Sequence, residues 1–341
     1  MMKTKGFVYV LILLVGLFTS CEHKDLYLLG DREMRVNVDW SLFDKEPVTG
    51  MTMYIYPDSS DVFKVETQNI DCAVLDLIAD NYRFMVYNQS VSEFQTLEFV
   101  DMEDFERAYV RGATATSKWY SVKSEDEVIS QYPQWFGTYC SDTIGVTPDM
   151  LEGYCIPFQG ENKPEDYQML LTTLTPENVV YTITVNVHNI RQIYNLSDVR
   201  GAISKMARGY YINKGVRGEE YATFLLEDWS VSHNHDDQSI GSLTASFTSF
   251  GLPSGHNCDP SDNILTLEIL LVDLKTVIEI PVDVGDLFRV SEDVQDNELS
   301  LVVDVDLNYT LPDVPPADGG EGGFDATVDD WGEEVIHDIE F

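Results

Sequence analysis

The sequence predicts a mainly β protein built from two tandem β-sandwich domains. Short stretches of alternating apolar and polar residues, separated by turn residues, recur along most of the chain. This period of two is typical of strands in antiparallel sheets that have one buried face. A second series of such strands begins at Tyr181, after a turn-rich stretch over residues 160–165. Because 341 residues exceed the usual size of a single core, two domains are expected.

The first twenty residues have the features of a bacterial secretion signal. Two lysines precede an apolar run over residues 6–18, which is shorter than the roughly 20 residues that a membrane-spanning helix needs. Thr19 and Ser20 then place small residues before Cys21. A lipoprotein peptidase requires a small residue there, because it cuts at that bond after the thiol has been lipidated. We therefore expect removal of residues 1–20 and a lipid on Cys21, with ordinary signal cleavage as the alternative.

The chain is strongly acidic, with 59 Asp and Glu residues against 21 Lys and Arg residues and a net charge of −38. This charge repels phosphate backbones and anionic headgroups, so nucleic acid is excluded as a partner. Contact with a membrane would then occur through the lipid on Cys21. The 18 Tyr and 16 Phe residues exclude a disordered acidic chain, because they can form a packed core.

The first domain is expected over residues 34–165, after a polar tether over residues 21–33. Strands with one apolar face are predicted at residues 34–40, 51–56 and 82–87, the last after a turn at Asp80-Asn81. Residues 88–177 are less regular and contain acidic loops. They leave the strand order of this domain open.

The second domain is expected over residues 178–311. Its strands are predicted at residues 181–187, 243–250, 264–272, 277–284 and 301–309. One helix is predicted over residues 196–209. Ser197 can cap its start, apolar residues follow at three- and four-residue spacing, and Gly209 can end it.

After residue 311 the chain changes character. Residues 312–323 contain three prolines and four glycines, which predicts a linker. The tail, residues 324–341, then opens with apolar residues at alternate positions and an aromatic residue. These are Phe324, Ala326, Val328 and Trp331. Such a strand can close its own sheet, which is the simpler interpretation, or pair with the open edge of another subunit.

No motif indicates catalysis, so we expect neither an enzyme nor a cofactor. His233, His235 and Asp237 form the densest group of potential metal ligands, but position 238 lacks the histidine that closes the comparable metallo-β-lactamase motif. A solvated loop is the favoured interpretation. Residues 58–61 and 259–263 are rich in oxygen ligands but lack the spacing of a Ca²⁺-binding loop, and we expect turns.

Four cysteines follow Cys21, and the sequence leaves their pairing open. They are Cys72, Cys140, Cys155 and Cys258. Disulfides are permitted outside the inner membrane, and four cysteines allow three connectivities. Cys140 and Cys155 flank a turn-rich loop and form the favoured pair, while four buried thiols are the alternative.

Two pairs of adjacent aromatic residues suggest an alternative function. Trp119, Tyr120, Trp135 and Phe136 could stack on sugar rings, as in a surface lipoprotein that binds glycans. Buried core positions are the favoured interpretation of these residues, because large aromatic side chains are mostly buried.

Short phrases spread over the chain resemble the FimB/Mfa-type fimbrial anchor lipoproteins of Bacteroidales, including their uncharacterised lipoprotein branch. The phrases are CEHKDL from Cys21, MRVNVDW from Met34, GMTMYIYP from Gly50, residues 181–189, residues 196–209, the pair Phe250-Gly251, and GGFDATVDDW from Gly322. The resemblance implies two transthyretin-like β-sandwich domains with one short helix in the second, and an acyl lipid such as palmitate on Cys21.

The same resemblance implies a place at the outer membrane, at the base of a fimbria. There the protein would hold a fimbrial stalk subunit by strand addition, in which main-chain hydrogen bonds provide affinity and alternating side chains provide register. We therefore expect a lipid-anchored fimbrial anchor or minor fimbrial subunit on the cell surface.

Overall fold

The alternating stretches of the sequence form strands throughout the structure, a computed structural model that describes residues 32–151, 169–291 and 299–317. Within these ranges 22 strands form five sheets. The mainly β fold class is confirmed. The strands are β1 (Arg32–Val38), β2 (Met51–Pro57), β3 (Phe63–Thr67), β4 (Cys72–Leu77), β5 (Asp80–Asn88), β6 (Leu97–Val100), β7 (Tyr109–Gly112), β8 (Gly137–Cys140), β9 (Ile144–Val146), β10 (Met169–Leu174), β11 (Glu177–Asn178), β12 (Tyr181–Arg191), β13 (Leu196–Ala207), β14 (Gly209–Tyr211), β15 (Val216–Arg217), β16 (Tyr221–Leu226), β17 (Ser230–His233), β18 (Ile240–Ser249), β19 (Ile264–Leu271), β20 (Val277–Asp283), β21 (Phe288–Val290) and β22 (Ser300–Asp306).

Helical structure is limited to short segments in the described residues. The α-helix α1 spans Pro148–Leu151, and 3₁₀ turns span Val91–Glu93, Ile193–Asn195 and Pro260–Asp262. Both the first and the last of these 3₁₀ turns begin with a capping box, in which side chains satisfy the free backbone N–H groups.

The first half of the chain forms a sandwich of two sheets. One sheet has the order β10-β1-β4, with β1 parallel to β10 and antiparallel to β4. The other has the order β11-β8-β5-β2-β3, and β9 also pairs with β5. Side chains from the inner faces form one core, which includes Met34, Met53 and Phe84. The predicted boundary at residues 160–165 lies outside the described residues, and β10 and β11, which follow it, pair within these two sheets.

The second half of the chain forms a second sandwich. Its sheets have the orders β17-β18-β12-β22-β21 and β16-β13-β19-β20. β12 lies at the centre of the first, antiparallel to β18 and parallel to β22. Its inward residues Ile183, Val185 and Val187 are fully buried against the facing sheet, as the alternation of the sequence predicts.

The helix predicted over residues 196–209 is wrong, because this segment is the central strand β13, paired with β16 and β19. Val199 and Ile203 are four residues apart and share its inner face. A bulge then shifts the register between Ile203 and Met206, with Lys205 at φ 55°. The extra residue returns Met206 to the core. The apolar spacing of four and then three therefore arose from a bulged strand.

A fifth sheet joins the two halves. It has the order β15-β14-β7-β6, and β14 of the second half pairs antiparallel with β7 of the first. Beneath it lies a core of aromatic and aliphatic side chains from both halves, including Tyr87, Phe136 and Phe250. The sheet also carries an ion-pair network in which Arg208 lies within 4 Å of Glu98 and Glu220. The two sandwiches therefore share a core and a sheet.

A loop of the first half, residues 113–132, crosses to the second sandwich and is named the strap. Its backbone pairs with the edge of β16, because Thr223 N–H donates to Val128 O at 2.8 Å and Ser130 N–H donates to Thr223 O at 3.0 Å. Tyr120 and Ile129 of the strap pack against Ala202 of β13. The strap therefore covers one edge and part of the outer face of the sheet β16-β13-β19-β20.

Candidate strand-docking flank

The opposite side of the second sandwich, formed by β20 and β21, is named the open flank. These are edge strands of the two facing sheets, and residues 284–287 connect them. Within the part of the chain that the structure describes, no strand pairs with the outer side of β20. An unpaired edge offers backbone groups to a further strand.

The register of β20 determines which backbone groups face outward. Leu271 N–H donates to Thr276 O and Val284 N–H donates to Asn263 O, so the even-numbered residues of β20 bond to β19 in this antiparallel ladder. The odd-numbered residues therefore point their N–H and C=O groups away from β19. They are Val277, Glu279, Pro281 and Asp283. Pro281 has no N–H to donate, so the edge offers three donors and four acceptors.

The core side of β20 is incompletely covered. Its inward residues Ile278, Ile280 and Val282 are only half-buried, although they pack on the core of the second sandwich. At the other edge of the same sheet, the inward Ala222, Phe224 and Leu226 of β16 are 0–2% exposed. The strap covers that edge, whereas β20 has no such neighbour in the described residues. A further strand with apolar residues at alternate positions would complete the burial on this side.

The chain that follows β22 is held against the end of the second sandwich. Leu311 is fully buried, its N–H donates to Arg191 O at 3.0 Å, and Asn195 Nδ2 donates to Pro312 O at 2.9 Å. Ala317 N–H then donates to Val272 O at 3.0 Å. The first residues of the predicted linker, 312–317, are therefore fastened to the fold.

This path brings the chain to the start of β20. Val272 precedes the turn that leads into β20, so residue 317 lies beside the open flank. Six residues separate Ala317 from Phe324, and they reach at most about 20 Å. The tail therefore begins within reach of the β20 edge. Its own residues Phe324, Ala326, Val328 and Trp331 lie outside the described residues, as does Cys21.

The outer face of β20 is acidic. Glu279 and Asp283 are exposed on it, and the nearest cation, Lys123 of the strap, lies 3.7 Å from Glu279. A strand of the tail with its apolar residues turned inward would place Asp325 and Asp329 on this same face. Like charges on neighbouring strands are destabilising. The charges therefore favour a docking strand that carries basic or neutral residues at these positions.

The histidine cluster and residues 58–61 lie in exposed turns, as expected, whereas residues 259–263 form a 3₁₀ turn that ends at the buried Asn263. His233 ends β17 and its Nδ1 lies 3.2 Å from Gln238 O, while Asp237 accepts hydrogen bonds from Ser239. These bonds, led by that from the Ser239 hydroxyl, lower the pKa of Asp237. Among the described residues, no group of three His, Cys, Asp or Glu side chains is placed to hold a metal ion.

The aromatic pairs occupy two separate clusters. Tyr120 of the strap packs on the second sandwich, and Phe136 lies in the core that both halves share. Both are buried, which confirms the favoured interpretation for them. Their neighbours Trp119 and Trp135 are partly exposed, with Arg200 stacked 4.6 Å from the Trp119 ring and Lys45 5.5 Å from the Trp135 ring.

The three described cysteines form no disulfide with one another and lie in different environments. Cys72 is buried, Cys140 is partly buried and Cys258 is exposed. Burial raises the pKa of Cys140 to about 12, so it stays protonated and unreactive at neutral pH. Cys155 lies outside the described residues, so the favoured Cys140–Cys155 pair stays a prediction. None of the described helices has the length and apolar character needed to span a bilayer.

Comparison with known sequences assigns the chain to a family. Residues 20–227, more than half of the chain, match the family described as "Domain of unknown function (DUF5119)". The chain belongs to this family. No curated protein matches the sequence.

Solved structures with a similar arrangement come from species of Bacteroides and Porphyromonas. A candidate adhesin from Bacteroides ovatus has a TM-score of 0.55 and 17% identity, over 87% of this chain and 99% of that one. The fimbrial anchor protein Mfa2 from Porphyromonas gingivalis has a TM-score of 0.44 and 11% identity, over 80% of this chain and 90% of that one. A candidate adhesin from Bacteroides thetaiotaomicron has a TM-score of 0.47 and 12% identity, over 82% and 93% of the two chains. The first of these shares the fold.

Proposed function

We propose that this protein is a cell-surface structural protein of the fimbrial or adhesin type, which binds a strand of a partner subunit at the open flank. The open flank is the observation that carries the proposal. It combines an unpaired β20 edge with three half-buried aliphatic side chains. The fold shared with the candidate adhesin from Bacteroides ovatus is compatible with such a role.

The anchor completes the proposal. Cys21 follows a short apolar run and two small residues, and a lipid on its thiol would tether the chain to the outer membrane. The strongly acidic surface, with a net charge of −38, is repelled by anionic headgroups, so the chain would stand away from the membrane. From there it would hold a fimbrial stalk subunit, as an anchor or minor fimbrial subunit.

The geometry of the edge defines the strand that fits. A strand beside β20 can form up to seven main-chain hydrogen bonds with the three donors and four acceptors of Val277, Glu279, Pro281 and Asp283. Each bond contributes about 0.5–1.5 kcal/mol net. Completing the burial of Ile278, Ile280 and Val282 adds about 1 kcal/mol for each side chain. These gains must exceed the entropy cost of association, so binding requires pairing along most of the strand.

The acidic edge favours a partner's strand over the chain's own tail. The partner's strand would place apolar residues inward and lysine or arginine opposite Glu279 and Asp283. The tail, with Asp325 and Asp329, is disfavoured at this edge and is free to pair with an open edge of another subunit. Self-closing by the tail is the competing arrangement.

Proline substitutions at the edge test the proposal directly. The N–H groups of Val277 and Glu279 point away from β19, so the double variant Val277→Pro/Glu279→Pro removes two edge donors without breaking the ladder to β19. The matched control, Val277→Ala/Glu279→Ala, removes the same side chains and keeps the donors. The measurement is a pull-down of the tagged chain from its native envelope, followed by mass spectrometry and electron microscopy.

We expect the wild-type chain and the alanine control to recover fimbrial subunits and the proline variant to lose them. Recovery of the subunits with the proline variant at the wild-type level would exclude the β20 edge as the docking site. Recovery of no β-rich partner with any chain would contradict the proposed function. A variant without residues 324–341 tests the competing arrangement, because self-closing predicts that this deletion lowers the unfolding temperature.

A further inference from the structure

A pocket of about 260 Å³ lies between the strap and the sheet β16-β13-β19-β20. Residues 120–128 of the strap form one wall, and the opposite wall comes from β16, β19 and the bulge of β13. The pocket is therefore built from both halves of the chain. It lies on the other side of the sheet from the core of the second sandwich and plays no part in the docking proposed for β20.

Two aromatic rings and aliphatic groups make much of the wall apolar. Tyr120 is buried at 8% exposure and supports the strap, while Tyr221 at the start of β16 is 54% exposed. Val128 of the strap and Ile264 of β19 complete the apolar surface. A largely exposed tyrosine at the mouth of a pocket offers its ring face to a ligand, because nothing else in the described residues stacks on it.

Hydroxyl and amine groups are distributed around the same wall. Lys123 Nζ donates to Thr266 Oγ1 at 3.2 Å and forms a longer ion pair with Glu279 at 3.7 Å, which leaves one of its three donors for a further bond. Thr266 Oγ1 accepts the bond from Lys123, and Ser204 Oγ accepts a hydrogen bond from Ile264 N–H at 3.1 Å. Each of the two hydroxyl groups therefore keeps its hydrogen to donate. The pocket thus presents donors and acceptors side by side, next to an apolar ring.

The charges that line the pocket balance. Lys123 and Lys205 are matched by Asp126 and Glu127, although the whole chain carries a net charge of −38. Two carboxylates disfavour a phosphate or a sulfate, and two ammonium groups disfavour a metal ion or an amine. The hydroxyl and lysine groups disfavour a purely apolar ligand, because their desolvation would not be compensated. A neutral ligand with several hydroxyl groups satisfies all of these conditions.

The strap side of the pocket is held in place before any ligand binds. Glu127 accepts hydrogen bonds from the Tyr120 hydroxyl at 2.7 Å, the Thr223 hydroxyl and the backbone N–H of Lys123. These bonds connect the strap to β16 and close its loop on itself. A preformed wall reduces the entropy cost of binding.

We propose that this pocket binds a single pyranose ring of a neutral glycan, stacked on Tyr221 and hydrogen-bonded to Lys123, Thr266 and Ser204. The volume corresponds to about nine water molecules, which suits one sugar ring and excludes a longer chain from the interior. The remaining sugars would extend past Tyr221 into solvent. Such a site gives a surface protein a means of holding glycan that is independent of strand docking.

The test is sugar binding by the full-length chain in detergent, measured by saturation-transfer difference NMR. The probes are the methyl glycosides of glucose, galactose, mannose and N-acetylglucosamine, with glucuronic acid as an anionic comparison. Tyr221→Ala removes the proposed stacking ring. Tyr194→Ala is the matched control, because Tyr194 is 56% exposed and lies in a 3₁₀ turn outside the pocket.

We expect at least one neutral glycoside to bind, Tyr221→Ala to weaken it at least tenfold and Tyr194→Ala to leave it unchanged. Lys123→Met should also weaken sugar binding. The unfolding temperature of Tyr221→Ala should stay near that of wild type. Absence of binding to every neutral glycoside would overturn the proposal. So would binding that survives Tyr221→Ala but is lost in Trp135→Ala, since that result assigns the sugar to the other aromatic cluster.

Discussion

Replacing Glu127 with glutamine should loosen the strap and destabilise the protein in a pH-dependent way. Burial alone would raise the pKa of Glu127, but the bonds from Thr223, Lys123 N–H and Tyr120 outweigh it, so the pKa lies below the ordinary value of 4.5. A glutamine keeps one acceptor oxygen and turns an amide donor toward the others. At least one of the three donors is then left without its acceptor.

The magnitude follows from the strength of these bonds and the partial exposure of the group. Hydrogen bonds to a charged acceptor contribute about 1.5–3 kcal/mol each, and solvent screening reduces this at a half-exposed carboxylate. We expect Glu127→Gln to lower the free energy of unfolding by about 1–2 kcal/mol. With an m-value of about 3 kcal/mol/M, the urea midpoint falls by about 0.3–0.7 M.

The pH dependence separates this reasoning from a general loss of packing. Because the folded-state pKa is lowered, ionised Glu127 contributes its full stabilisation above the unfolded value and loses it as the pH falls through the folded value. The difference between wild type and variant should therefore shrink between about pH 6 and about pH 3. Glu125→Gln, at an exposed position of the same strap, is the control and should match wild type. A difference that stays constant over this range would refute the reasoning.

Three further substitutions test the shared sheet, the fixed linker segment and the bulge. Gly209→Ala would place Cβ 2.3 Å from Val110 O and force apart the strands that join the two halves. We expect it to lower the free energy of unfolding by about 2–3 kcal/mol. The control Gly145→Ala, whose Cβ has no contact closer than 3.3 Å, should change the unfolding temperature little. Leu311→Ala should lower the free energy of unfolding, measured by chemical denaturation, by about 2–5 kcal/mol. A change under about 0.5 kcal/mol would show that the Leu311 side chain does not hold residues 307–317 in place. Lys205→Val should lower the free energy of unfolding by about 1–2 kcal/mol, because a β-branched residue is strained at positive φ. Lys205→Gly should not lower it. Equal losses of stability in the two variants would contradict the bulge.

The shared core has a consequence for the proposed anchor. Force applied by a fibre at the open flank would pass from the second sandwich to the first through the sheet β15-β14-β7-β6 and the aromatic cluster beneath it. Neither sandwich can rotate freely against the other without exposing Phe136 and Phe250, which are fully buried. A stiff connection of this kind suits a protein that holds a load at a surface.

Local pattern was enough to predict the fold class and the strands at residues 34–40, 51–56, 82–87 and 181–187, although β5 already begins at Asp80, where the sequence predicts a turn. In β1 and β12 one face is buried and the other is largely solvated, so the side chains alternate in polarity. β2 and β5 are buried on both faces, but Thr52, Tyr54 and Arg83 on the second face keep the alternation visible in the sequence. The same holds for the turns at residues 233–237 and 259–262, where Asn234 and Asp262 accept hydrogen bonds from neighbouring backbone N–H groups.

Tertiary contacts decided the features that local pattern could not reveal. In β13 the core buries Val199, Ile203 and Met206 on one face, the strap covers Ala202 on the other, and a bulge changes the period, so the sequence imitates a helix. The pairing of β14 with β7 joins segments about a hundred residues apart, and no local signal encodes which edge a strand will find. The open flank and the pocket arise in the same way, since each depends on which edge the strap covers. The sequence by itself thus determined the fold class and the strands whose polarity alternates, whereas only the packing of distant segments decided the bulged strand β13, which edges are closed and which remain available to a partner.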